Sequence, residues 1–255
     1  MAKLRRPSTN RLRQLYQKLT DDQIGAKYGV TGRSVSDWRK KHGIERSASH
    51  RRRYTLNVDF FEKIDTEEKA YILGLIASDG YVSRAGKQVF IALQSRDEHI
   101  LRDVASAMGS SAPVLDKFAG GFPGSGPQKY IGFASRKMVS DLARWGIVPG
   151  KSHTLSYPKI ARHLERHFAR GLFDGDGHIR AHPKKAFYFL GTSALMNGLR
   201  KAIIRHTGLA LKKSYAAGCW RISGYGGSVD VLNWMYRDAK IFLLRKQRVF
   251  LNHWQ

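Results

Sequence analysis

Apolar positions beyond residue 60 change period several times, from helical spacing to strict alternation and back, and the order of changes occurs twice. The first cycle opens with Tyr71-Ile-Leu-Gly-Leu-Ile-Ala-Ser-Asp-Gly-Tyr81, apolar enough for a buried helix. In Gln88-Val-Phe-Ile-Ala-Leu-Gln94, Val89, Ile91 and Leu93 alternate as on a half-buried strand. Ser95-Arg-Asp-Glu98 has capping-box spacing before a helix bearing Ile100, Leu101, Val104 and Met108. A hairpin-like pair, Pro113–Phe118 with Lys129–Ala134, and a helix over Ser135–Trp145 complete the cycle. The second cycle runs through a helix at Phe168, a strand over Ala186–Leu190, and Ser193 ahead of Leu195, Met196, Leu199 and Ile203. The pair Ala210–Tyr215 with Cys219–Ser223 and a helix over Ser228–Tyr236 follow. Each half reads α-β-β-α-β-β-α. The expected class is α+β, with two repeats related by a pseudo-twofold axis.

The opening helices carry the most informative duplication. Phe168-Ala-Arg-Gly-Leu-Phe-Asp-Gly-Asp-Gly-His178 aligns without gaps on the first segment. Gly74 falls on Gly171, Leu75 on Leu172, Asp79 on Asp176 and Gly80 on Gly177, an offset of 176 − 79 = 97 residues. That offset suits a small folded unit rather than a solenoid repeat. Helices cross closely only where side chains are small, a demand that Gly74, Ala77, Ser78, Gly171 and Gly175 meet. Asp79 and Asp176 fall at helix C-termini, where partial negative charge favours a cation. Two carboxylates meeting at the axis repel one another, and a hard divalent cation relieves that repulsion.

The first 45 residues follow another pattern. Leu12, Leu15 and Tyr16 share a helical face, and Thr20-Asp21-Asp22-Gln23 reads as a capping box. A short helix with Ile24, Ala26 and Tyr28 ends at Gly29. Thr31 is placed to cap a third helix, with Val35 and Trp38 inward and Gly43 at its end. Its other face carries Arg33, Ser34, Ser36, Asp37, Arg39 and Lys40. The segment resembles the helix-turn-helix family, which implies a third helix in the DNA major groove; a three-helix protein-interaction module has the same pattern. The run Glu45–Arg53, with Arg51, Arg52 and Arg53, reads as a linker lying on a phosphate backbone or in a minor groove. A solvated tether has the same composition. The expected boundaries are 1–45 for the helical module, 46–60 for the linker, and 61–152 and 153–255 for the repeats.

Charge narrows the partners. Lys and Arg number 45 against 20 Asp and Glu, a formal net charge of +25. So much positive charge repels itself and is best tolerated beside a polyanion, nucleic acid above all. A ribosome-associated or membrane-surface protein shares that composition. Cys219 is the one cysteine, which excludes an internal disulfide and a cysteine-based zinc site. The basic N-terminus lacks the apolar stretch of a secretory signal, and no apolar run reaches membrane-spanning length. The expectation is a cytoplasmic protein of prokaryotic or phage origin, with an organellar matrix as the other compartment and no membrane partner.

From about residue 60 onward the glycine and aspartate phase of both motifs resembles the LAGLIDADG homing endonucleases. The resemblance implies a saddle of β-strands over DNA and a site-specific double-strand cut by phosphodiester hydrolysis, leaving short 3′ overhangs. It implies Mg²⁺, two or more ions, at Asp79 and Asp176, with the flanking Ser78, Gly80, Gly175 and Gly177 completing the metal set. It also implies a basic residue near each centre. Lys151 lies 151 − 79 = 72 residues after its aspartate and Lys246 lies 246 − 176 = 70 after its own, so these two are the expected pair. Simple backbone contact by surface lysines is the other reading. Gln94 is a further catalytic candidate for ordering solvent, and its approximate counterpart is Gly191. The first motif departs from the family's form, with Ala77 where the second keeps Asp174.

Candidate DNA contacts on the strands and turns are Arg84, Lys87, Gln88, Lys117, Lys129, Arg180, Lys184, Lys185, Lys212, Lys213 and Arg221. Most would set affinity through phosphates, and Arg221 and Gln88 are suited to base edges. The glycine-rich stretch 119–127 lacks the phosphate-loop lysine pattern and fits a hairpin tip. With both repeats in one chain the expectation is a monomer on an asymmetric site of double-stranded DNA, in the manner of mobile-intron enzymes. The alternatives on this scaffold are a DNA-binding regulator and an intron RNA maturase, neither of which cuts.

Overall fold

The computed structural model describes residues 6–16, 19–44, 54–117 and 126–254. Internal contacts divide the chain into two units, Met1–Thr55 and Leu56–Gln255. Arg51, Arg52 and Arg53, and most of the glycine-rich stretch 119–127, lie outside the described residues.

The smaller unit contains three helices, α1 (Thr9–Leu15), α2 (Asp21–Tyr28) and α3 (Gly32–Lys41). Local chemistry sets their ends. Thr20 and Gln23 form the expected reciprocal capping box, and the Thr31 hydroxyl accepts from the Ser34 amide at 3.2 Å. Gly29 closes α2 in the left-handed region at φ 67. Leu12, Leu15, Tyr16, Ile24, Val35 and Ile44 form a small core, with Tyr28 and Trp38 packed against it. Ala26, on the same short helix, is exposed. The inward position is Gly25, where a Cβ would stand 2.6 Å from the Val30 carbonyl oxygen.

The larger unit contains the two cycles. The first is α4 (Glu67–Asp79), β1 (Gly80–Val82), β2 (Gln88–Gln94), α5 (Glu98–Ala107), β3 (Leu115–Lys117), β4 (Gln128–Ala134) and α6 (Arg136–Arg144). The second is α7 (Glu165–Asp176), β5 (His178–Arg180), β6 (Ala186–Gly191), α8 (Ser193–Thr207), β7 (Lys212–Ala216), β8 (Cys219–Tyr225) and α9 (Val229–Tyr236). Each builds a four-stranded antiparallel sheet, β1-β2-β4-β3 and β5-β6-β8-β7. The expected α-β-β-α-β-β-α order holds in both halves. An additional helix, α10 (Leu244–His253), follows the second.

One local expectation fails. No side chain caps α5; Ser95–Asp97 instead forms a 3₁₀ turn. The Ser95 amide donates to the Pro127 carbonyl at 2.9 Å, and the Asp97 carboxylate is turned to Arg245, so neither serves the helix end. In the second half the cap of α8 is Thr192, one residue before the serine expected there.

The motif helices form the spine of this unit. From Ala70 to Ala77 every residue of α4 is buried, as a helix surrounded by protein requires. A Cβ on Gly74 would collide with backbone at Phe168 and Leu172 of α7, and one on Gly171 with backbone at Tyr71 and Leu75 of α4. Helix backbones therefore touch directly, and only glycine fits. Arg170, fully buried, adds a polar tie: it donates to the Ile241 and Met235 carbonyls and, at 2.6 Å, to Glu67 Oε1 on α4.

Candidate active site

Asp79 and Asp176 are the last residues of α4 and α7, so the close crossing of those helices carries both carboxylates to one end of the spine. The packing there leaves no slack. A Cβ on Gly175 would lie 2.7 Å from Asp79 Oδ2 and would collide with the Ser78 hydroxyl. Ser78 directs its own hydroxyl back to the Leu75 and Gly74 carbonyls, at 3.0 and 3.2 Å. Asp79 is half-buried and Asp176 exposed. Burial first, and the Asp176 charge second, push the Asp79 carboxyl up to about 7 from 3.8, against the pull of Lys246 and Lys151. Partial loss of solvent where the helix ends pack also raises Asp176, despite its exposed surface, and is opposed by the same lysines.

Both expected lysines arrive. Lys151, buried in a 3₁₀ turn, donates from Nζ to the Ser78 carbonyl at 3.0 Å. Lys246, buried on α10, donates to the carbonyl of Gly175, the counterpart of Ser78, at 3.2 Å. Each ammonium thus sits on the negative end of a motif helix. Lys246 also reaches the carbonyls of Phe173 and Gly177 at 2.5 Å and of Asp174 at 2.8 Å. Burial lowers Lys246 to about 8, and lowers Lys151 as well. The carbonyls of Gly175 and Gly177, expected in the metal set, therefore already carry an ammonium, and the freest oxygens are the two carboxylates. Gly80 and Gly177 leave no room for a Cβ against Ile76 and Phe173.

Asp176, Ser78 and Lys151 line one cleft of about 570 Å³, together with Leu172, Tyr215 and Trp220. Lys151 also borders a second cleft of about 550 Å³ with Gly80 and Arg84. Gln94 opens onto a different one, of about 340 Å³, with Ser95, Arg96, Gly126 and Pro127. The structure does not gather Gln94 into the cleft of Asp176 and Lys151.

Asp174 has no part in that cleft. Fully enclosed, it accepts from Tyr71 Oη at 2.9 Å, Tyr236 Oη at 2.8 Å and the Leu243 amide at 2.7 Å. The counterpart of Asp174 is Ala77 in the first motif and that of Tyr71 is Phe168 in the second, so acid and hydroxyl are absent together. The sequence reading missed this network and the ion pair of Arg245 with Asp97, at 3.1 Å, because each joins residues far apart in the chain.

Strand register sorts the basic candidates by face. Gln88 points away from the helices with Phe90 and Ala92, as do Lys117 and Gln128 on the neighbouring strands. Arg180, Lys212 and Arg221 occupy the corresponding face of the second sheet. Arg221 is half-buried there over the Tyr188 ring, 5.4 Å from its centroid. Arg84, Lys87, Lys184 and Lys185 are exposed in the β1–β2 and β5–β6 turns. Lys129 and Lys213 require correction, because both lie on the face shared with the helices. Lys129 pairs with Leu93 in register and binds Asp116 at 2.8 Å. Lys213 donates to Asn197 Oδ1 at 2.6 Å and Ser193 Oγ at 2.8 Å on α8. Strand alternation places odd and even residues on opposite faces, and a list drawn from charge alone ignores it. In the smaller unit Arg33 and Lys40 are exposed, and Ser34 and Ser36 half-buried. Arg39 is tied to the Ile44 carbonyl at 2.9 Å, holding the end of its own helix.

Two mirrored αββαββα repeats with an acid at the end of each central helix define the class. Residues 66–110 match the family model described as LAGLIDADG-like domain. No curated protein matches the chain. Among solved structures, the chain is similar to the homing endonuclease I-WcaI bound to its DNA recognition sequence, with a TM-score of 0.53 at 9% identity, covering 75% of this chain and 90% of that one. It is also similar to I-DmoI in complex with DNA and Ca (0.49, 14%, 77% and 100%). Full-length DUF199/WhiA from Thermatoga maritima is a third (0.48, 11%, 78% and 66%). The chain therefore shares the fold of the homing endonuclease I-WcaI, and its residues 66–110 match the LAGLIDADG-like domain model. Among the described residues no helix is long and apolar enough to cross a membrane.

Proposed function

We propose that the protein is a monomeric, site-specific DNA endonuclease that hydrolyses both strands of an asymmetric target with a divalent cation, Mg²⁺ in the first instance. The observation that carries this reading is the meeting of Asp79 and Asp176 at the ends of two helices in backbone contact, with both carboxyls held above their ordinary range. Two carboxylates so placed form no direct ion pair among the described residues, and their oxygens are what a hard cation selects. Among the described residues no cluster of three or more His, Cys, Asp or Glu could hold a metal alone. A cation would therefore be shared by the two aspartates with backbone oxygen, water and the substrate phosphate. Bound there, it would acidify water and withdraw charge from the phosphate.

The chain's own residues supply the rest. Gly74 and Gly171 set the helix separation, and thereby the carboxylate positions. Lys151 and Lys246 fix the last turns of α4 and α7 and bring positive charge beside the site. The outward basic residues, Arg84, Lys87, Arg180, Lys184, Lys185, Lys212 and Arg221 among them, give affinity for a phosphate backbone, and Gln88 and Arg221 offer base readout. We read residues 1–45 as a helix-turn-helix that contacts the same DNA through the exposed side of α3.

A cleavage selection on a randomised DNA library with Mg²⁺ tests this directly. Double-strand cuts at one asymmetric site are the expected result. A site bound and never cut would instead point to a regulator, or, with RNA bound in its place, to a maturase.

A further inference from the structure

The two halves are related in fold yet differ where the chemistry would occur. An ammonium has three donors. Those of Lys246 face four carbonyls, of Phe173, Asp174, Gly175 and Gly177, all within 3.2 Å, so none is left for a substrate. Lys151 makes one such bond, to Ser78, and opens onto the cleft it shares with Asp176.

Their neighbours differ in the same sense. Arg245, the residue before Lys246, reaches across to Asp97, three residues beyond Gln94. The corresponding residues on the other side are Gly150, before Lys151, and Ala194, three beyond Gly191. Neither can form a bridge, and this is the side that holds the cleft of about 570 Å³.

We propose that the centres are unequal: Lys151 contacts the scissile phosphate, Lys246 is structural, and the strand lying in the Asp176–Lys151 cleft is cut first. The inference rests on the endonuclease reading above. In the step itself, a water oxygen bonds to phosphorus while a bond from phosphorus to a deoxyribose oxygen breaks. The proton that water loses ends on that released oxygen. Lys151, with two donors free, is placed to hold a phosphate oxygen as charge builds there.

The test uses the full-length protein with Mg²⁺ and a plasmid carrying the selected target, each strand labelled separately under single-turnover conditions. One strand should be cut at least about tenfold faster than the other. Lys151→Met should slow that strand about a hundredfold, with a smaller loss of melting temperature than Lys246→Met, which removes four carbonyl contacts instead of one. Lys246→Met should lower the melting temperature and leave the order of cutting intact. Arg245→Gln, at a partly exposed pair, should narrow the difference between strands. Equal strand rates would overturn the inference while leaving the endonuclease reading in place, as would an unchanged difference in Arg245→Gln. Loss of one strand's cut in Lys246→Met with normal melting would do the same. If the wild type cuts neither strand, the endonuclease reading fails first and this one with it.

Discussion

The Tyr71 hydroxyl, on the central helix of the first repeat, donates to Asp174 Oδ2 on the central helix of the second at 2.9 Å. The bond is buried and ties the two repeats at their shared spine, next to the catalytic candidates yet separate from them. Removing the acid leaves the hydroxyls of Tyr71 and Tyr236 and the Leu243 amide without their acceptor. Asp174→Ala should therefore cost about 3 kcal/mol, and Tyr71→Phe about 1.5 kcal/mol, in urea denaturation. The converse change, Ala77→Asp, should also destabilise, because Phe168 stands where the tyrosine would be needed. Equal stability of Asp174→Ala and the wild type would remove the network from this account.

The acidity of Asp79 has a thermodynamic consequence. Its carboxyl titrates near 7 in the folded protein against 3.8 ordinarily. Between those values the folded state binds more protons than the unfolded chain, so this residue's contribution to stability falls as pH rises from about 4 to 7. Asp79→Asn removes that cost. The variant should melt above the wild type at pH 8, with the advantage shrinking towards pH 4. Mg²⁺ should raise the wild-type melting temperature and leave the variant unmoved. A melting difference independent of pH would count against the raised pKa.

Direct backbone contact between α4 and α7 predicts that both glycines are irreplaceable. Gly74→Ala and Gly171→Ala should each cost about 3 kcal/mol, since the added methyl meets backbone rather than a flexible side chain. Thermal melting of either variant within a degree of the wild type would show that the helices can separate cheaply.

Much of this architecture is legible in the sequence, because both repeats use the same periodicities and because the 97-residue offset aligns glycine with glycine and aspartate with aspartate. Lys151 and Lys246 could be paired by their spacing from those aspartates. Their unequal environments could not, since three of the carbonyls involved belong to a helix about 70 residues earlier and the fourth to its cap, Gly177. Arg245 with Asp97 and Tyr71 with Asp174 are likewise set by tertiary packing alone. The mistaken face of Lys129 and Lys213 is a different kind of error. Alternation with Ile131 and with Leu211 places both on the helix side, and that information was present in the strand pattern.

Face assignment also makes a prediction for binding. Lys212→Ala and Arg180→Ala should weaken affinity for the selected DNA, and each should reduce the steepness of its salt dependence by about one phosphate contact. Lys129→Ala should leave the salt dependence unchanged, because its ammonium is committed to Asp116 and Glu98. Equal losses for all three, measured by titration at several salt concentrations, would mean that the outward faces are not the DNA surface.

The central claim is that Asp79 and Asp176 together hold the chemistry. Its most direct test is the cleavage rate of the selected target with Mg²⁺ by the wild type, Asp79→Asn, Asp176→Asn and the doubly substituted protein, with binding measured alongside. The account predicts that each single variant binds the target and loses double-strand cutting by about a thousandfold or more. Full cutting by either variant, or DNA that is bound and left intact by the wild type, would contradict it.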